Sequence, residues 1–112
     1  MRPDDILLLD MLLAARDGVA FIGNCTREEF EHNRMQQLAL LKVIEIIGEA
    51  ASRVSQAFRD AHPELPWREM IGMRHRLVHG YFEIDLDVVW KVAWEELPPL
   101  IAKLEALVPL EE

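Results

Sequence analysis

Arg74, His79 and Tyr81 are the residues whose types and spacing most suggest chemistry: an arginine, four residues, a histidine, one residue, a tyrosine. An arginine guanidinium is a rigid fork of donors that fits a phosphate or carboxylate. Histidine exchanges a proton near neutral pH and can serve as general acid or base. The tyrosine adds a phenol just past Gly80, where a helix would end. The three together describe proton transfer at an anionic group. With nine arginines, four histidines and one tyrosine in the chain, such a triple is expected by chance roughly 0.003 times, against roughly 0.3 for the Arg and His alone. Singly, each residue has a plainer reading. His79 before Gly80 suits a helix C-terminus, Arg74 and Arg76 suit solvated surface, and Tyr81 suits a packed ring with a wet hydroxyl.

The charge around this stretch differs from that of the chain. The formal net charge is −8, which argues against a general nucleic-acid binder because phosphate neutralisation needs clustered Lys and Arg. From Arg68 to Tyr81, however, three arginines against one glutamate leave +2, whereas from Phe82 to Glu112 two lysines against eight carboxylates leave −6. A compact anion site on an acidic body is the pattern, and an extended nucleic-acid track is not suggested.

The elements that would hold the site read as helices throughout, with no clean period-two alternation for strands. At 112 residues the chain is expected to be one domain over 1–112. A first helix is predicted from Pro3 to Phe21, with Pro3, Asp4 and Asp5 in its first turn. Ile6, Leu7, Leu8, Leu9, Met11, Leu12 and Leu13 make it apolar on several sides, so more than one neighbour should cover it, including a second subunit. Gly23-Asn24 stops it, and Thr26 with Glu29 forms a capping box. Asn33 with Gln36 starts a long helix expected to reach about Ala61, whose small residues Gly48, Ala50 and Ala51 admit a close neighbour. Pro66 opens a third helix, Trp67 to about His79, capped by Gly80. Asp85 or Asp87 caps a fourth, Pro98-Pro99 should break or kink it, and Leu100 to Leu107 forms the last. Trp90 and Trp94 read as core or interface residues.

Five residues along a helix rotate about 500°, so Arg74 and His79 stand roughly 140° apart around the axis. Either the helix unwinds at His79-Gly80 or a two-fold axis completes the site from a second copy. Glu45 and Glu49 lie on one face of an otherwise apolar helix and are candidates to position the arginine or histidine.

The motif and its frame resemble the HepT ribonuclease toxins of the HEPN superfamily. The likeness rests on Arg74, His79 and Tyr81, and on Ile47-Gly48-Glu49-Ala50-Ala51, Leu65-Pro66-Trp67-Arg68, Gly72-Met73-Arg74, Val78-His79-Gly80-Tyr81-Phe82 and Asp85 to Trp90. It covers most of the chain from the second helix onward. The family usually places a polar residue directly after the motif arginine; here it is His75. The resemblance implies an all-α, HEPN-type antiparallel bundle of four to five helices. It further implies a homodimeric, metal-independent endoribonuclease of a type VII toxin–antitoxin system, with Arg74 and His79 catalytic. Its partner would be a minimal nucleotidyltransferase antitoxin that silences it by moving AMP from ATP to Tyr81. RNA is the expected substrate, and no cofactor or metal is expected.

The chemistry is coherent on its own terms. Metal-free RNA cleavage needs a base for the 2′-hydroxyl, an acid for the departing 5′-oxygen and a cation for the phosphorane. Arg74 suits the cation and His79 one of the proton-transfer roles. The second falls to His79 of another subunit or to His75, and Arg76 and Glu49 are counted as supporting groups. Two rivals are weaker. His75 and His79 have a zinc-ligand spacing, but Arg76 stands where a metalloprotease has glutamate. A non-enzymatic helical adaptor that partners a nucleotidyltransferase needs no Arg-His-Tyr triple. Cys25 alone excludes an internal disulfide and fits a reducing compartment. Asp10, Arg16 and Asp17 argue against a membrane span at 6–22, and no signal-peptide pattern precedes it, so a cytoplasmic protein is expected.

Overall fold

Pro3, Asp4 and Asp5 open helix α1 (Pro3–Ile22), as the sequence predicts within a residue. The computed structural model describes residues 3–77 and 83–109. Gly23, with φ 52°, ends α1, and its N–H bonds the Val19 carbonyl at 3.1 Å; glycine adopts this left-handed cap without a Cβ penalty. The capping box forms in full: Thr26 Oγ1 accepts from Glu29 N at 3.1 Å, and Glu29 accepts from Thr26 N at 2.8 Å. It starts the short α2 (Arg27–Glu31). Asn33 then caps α3 (Arg34–Arg53) through Gln36 N.

The long helix stops earlier than its periodicity predicts. Val54 turns to an extended backbone (φ −64°, ψ 140°), and Ser55 caps a separate α4 (Gln56–Ala61). The cause is a long-range clamp: Asp4 accepts hydrogen bonds from Ser55 N at 2.9 Å and Ser55 Oγ at 2.7 Å. A carboxylate from the first turn of α1 thus competes with continued helix, which local spacing cannot reveal.

Pro66 precedes α5 (Trp67–Leu77), and Asp85 caps α6 (Leu86–Lys91). Of the predicted break or kink at Pro98-Pro99, the break does not occur, and the winding changes instead. The backbone stays helical through a π-wound segment, Val92–Glu96, into α7 (Leu97–Leu107), where the prolines occupy the first turn. A proline ring clashes with the carbonyl four residues back, here those of Trp94 and Glu95. Both lie in the π turn, whose wider bore relieves the clash. The last helix accordingly begins at Leu97 rather than Leu100.

The architecture is an all-α bundle. Residue pairs Asp4–Ser55 and Gly18–Val43 show α1 and α3 running antiparallel, and α7 packs on α1. Fully buried Leu8, Met11, Phe30, Leu40, Leu77 and Leu104 centre the core, each worth about 1.5–3 kcal/mol on burial. The apolar excess of α1 is only partly consumed inside, since Ile6 and Leu13 remain 48% and 49% exposed. Among the described residues no helix is long and apolar enough to cross a membrane.

Candidate active site

Gly48 sets how closely the motif helix approaches the core. A Cβ there would lie 2.9 Å from the carbonyl oxygen of Met70, so only glycine lets α3 and α5 meet backbone to side. One turn further, Ile44 and Met73 line a common small cavity. Numbers fall along α3 as they rise along α5, so the two helices are antiparallel. The start of α5 is fixed separately: Trp67 Nε1 donates to the His62 carbonyl at 2.8 Å, and its ring meets Phe58 edge-on at 6.2 Å.

This register separates the two carboxylates that the sequence offers as equals. Arg74 is in α5 one residue beyond Met73, level with Ile44 and Glu45 on α3. Glu45 is half-buried, while Glu49 is exposed and lies about a turn away, toward the start of α5. His75 follows Arg74 in the same helix. The side chains of Arg74 and His75 lie outside what the structure describes. Arg76 is exposed and makes no ion pair among the described residues.

His79 and Tyr81 fall in 78–82, outside the described residues. Their flanks are pinned, however. Asp85 N donates to the Leu77 carbonyl at 2.6 Å, so the chain leaving α5 and the chain entering α6 meet at one hydrogen bond. Asp85 also accepts from Val88 N at 3.2 Å. Leu77 is fully buried, which roots the motif end of α5 in the core. Beside this junction Arg27 bridges α2 to α6 by pairing with Asp87 at 2.5 Å, and lies 5.9 Å from the Trp90 ring centroid. Trp90 in turn meets Phe30 at 5.3 Å and Trp94 at 5.5 Å. Trp90 is therefore a packing residue, while Trp94 is 40% exposed. Among the described residues no group of His, Cys, Asp and Glu is arranged to share a metal ion.

A feature that sequence reading missed lies on the other side of α5. An open groove of about 900 Å³ runs between α4 and the outer face of α5, lined by Arg59, Pro63, Pro66, Arg68, Ile71 and Gly72, among others. Its walls are the separate α4, the turn that follows it and the start of α5, and the break at Val54-Ser55 that makes α4 a separate helix left no signal in the helical periodicity.

An all-α bundle of this kind, with α5 packed on its core, is consistent with the HEPN class of fold. Residues 11–107 match the family described as Ribonuclease HepT-like, and the chain belongs to that family. It is 38% identical over 98 residues to a protein named "Putative RNase" of Methanocaldococcus jannaschii, covering 88% of this chain and 90% of the relative. It is 39% identical over 102 residues to a protein named "Probable ribonuclease HepT" of Thermococcus cleftensis, covering 88% and 93% respectively. No solved structure matches the chain.

Proposed function

We propose that this protein is a metal-independent endoribonuclease acting as the toxin of a type VII toxin–antitoxin pair in the cytoplasm. The observation that carries the reading is family membership over residues 11–107, with Arg74, His79 and Tyr81 at the family's motif positions inside that span. In this mechanism a base takes the proton of the 2′-hydroxyl and its oxygen attacks the adjacent phosphorus. An acid then protonates the departing 5′-oxygen. Arg74 neutralises the phosphorane. His79 fills one proton-transfer role. The other belongs to His79 of a second copy or to His75, and a homodimer would answer the roughly 140° that an ideal helix puts between residues five apart. Arg76, Glu45 and Glu49 support and orient these groups.

Control follows from Tyr81. A minimal nucleotidyltransferase antitoxin would move AMP from ATP to the phenol oxygen, releasing pyrophosphate. The new phosphodiester would engage Arg74 or Arg76, and the nucleotide would fill the space RNA must enter. Incubation with that antitoxin, ATP and Mg²⁺ should raise the protein's mass by one or more AMP units, and Tyr81→Phe should abolish the gain while staying toxic. An adduct elsewhere would refute this control. The catalytic reading is tested by RNA cleavage in the presence of EDTA, which should persist in the wild type and vanish in His79→Ala.

A further inference from the structure

The groove between α4 and α5 is lined as far as Gly72, with Arg76 a helical turn beyond it toward the motif, and its chemistry is not that of an idle surface. Arg68, Gly72 and Arg76 follow one another at intervals of four, so they stack along the outside of α5, with Arg68 and Arg76 about 12 Å apart along the axis. Gly72, between them, has no atom within 4 Å of where a Cβ would be. The helix backbone is bare there, and the space above it is open. Neither arginine has an acceptor among the described residues, and neither has Arg59 across the groove, whose Nε is buried without a hydrogen-bond partner. Pro63, Pro66 and Ile71 give the groove apolar walls.

Three carboxylates also line it, and two are already engaged. Asp60 accepts from Gln56 Nε2 at 2.8 Å, and Glu64 pairs with His62 Nδ1 at 3.0 Å. A backbone hydrogen bond first, and then His62, holds the Glu64 carboxyl below its usual range. Glu69 has neither a hydrogen bond nor an ion pair among the described residues. Arg68 and Arg76 thus follow the line of α5, which runs from the groove toward the motif, while Asp60 and Glu64, each hydrogen-bonded to a neighbour, sit at the far end.

Resting on the ribonuclease reading, we propose that this groove is a binding track for single-stranded RNA flanking the cleaved bond. Phosphates would lie along Arg68 and Arg76, the ribose would cross at Gly72, and a base would rest against the proline-lined wall. An apolar wall beside a line of unpaired arginines matches an exposed nucleotide strand, in which each unit offers one anion and one flat apolar face. On a chain of net charge −8, such a track would orient the strand as well as add affinity.

The test uses the full chain with His79→Ala as the uncut background, and a fluorescent single-stranded RNA measured by anisotropy over a range of salt. Arg68→Glu and Gly72→Leu, which fills the open floor, are compared with the background protein after their melting curves are shown to match. Each should weaken binding at least tenfold, and Arg68→Glu should lower the salt slope by about 0.7 or more for each phosphate it no longer neutralises. In the cleaving protein, KM for a long strand should rise while kcat holds. Unchanged affinity and slope in both variants overturns the track, as does a background protein that binds no RNA. If the variants lose only association with a protein partner, the groove is a protein-docking surface and the proposal is wrong. Binding that is sensitive to both variants in a wild type that never cuts would uphold the track and sink the ribonuclease reading instead.

Discussion

Arginines on two sides of this molecule have opposite situations. Arg16 reaches Glu105 on α7 at 3.1 Å, and Arg27 reaches Asp87 on α6 while facing the Trp90 ring. Each ties together elements far apart in sequence. Arg59, Arg68 and Arg76, on α4 and α5, touch no carboxylate among the described residues, although Asp60, Glu64 and Glu69 are near them in the chain or line the same groove. An arginine already held by a carboxylate must be stripped of it before gripping a phosphate, whereas an unheld one gives up only water. The first group is tied into the scaffold, and the second, with Arg74 in the same helix, is the group on which the proposed anion sites rest.

Substitutions on the two sides should therefore fail in different ways. The largest effect is expected at the motif. Arg74→Ala, like His79→Ala, should cut RNA cleavage by about 10²–10⁴-fold and leave the helical circular dichroism spectrum intact. A variant that loses activity only in proportion to lost helix would place Arg74 with the scaffold instead. Next comes Gly48→Ala. The added methyl meets the Met70 carbonyl, a backbone atom that cannot swing aside, and overpacking of this kind costs about 1–3 kcal/mol. That outweighs the roughly 1 kcal/mol gain in helix propensity. Tm should fall by several degrees, and because α5 must move, cleavage should fall as well; a higher Tm would show that α3 and α5 are not held this closely. Arg16→Ala should do least. Its pair is about half exposed on both sides, so the loss should stay within about 1 kcal/mol, with cleavage unchanged. A marked loss of cleavage in Arg16→Ala would erase the distinction between the two groups.

How much of this is legible in the sequence follows from how local each signal is. Thr26 with Glu29, Asn33 with Gln36, and Asp85 with Val88 are side chains that cap a backbone three residues on, and all are readable from spacing. So is Gly48, as a small residue where a neighbour comes close. The end of α3 is not, because Asp4 imposes it from 51 positions away. Nor is the continuity through Pro98-Pro99, because the π turn that absorbs them is a compromise with the packing of Val92, Ala93 and Leu97 in the core. Within the site, Arg74 and His79 stand out by type and spacing, while the different depths of Glu45 and Glu49 depend on which turn of α3 faces α5. The groove at Arg68 is hidden for a related reason: it needs α4 as a separate helix, and the Asp4–Ser55 contact that separates it is long-range.

Everything proposed for the site turns on Arg74 and His79 cutting RNA by moving protons rather than through a metal ion. The most direct test is the chemistry of the ends left when purified protein cleaves a single-stranded RNA in excess EDTA. Attack by the 2′-oxygen with protonation of the 5′-oxygen leaves a 2′,3′-cyclic phosphate on one fragment and a free 5′-hydroxyl on the other, and mass spectrometry should find both in the wild type and neither in His79→Ala. Fragments carrying 5′-phosphates, formed only when a divalent ion is restored, would contradict it.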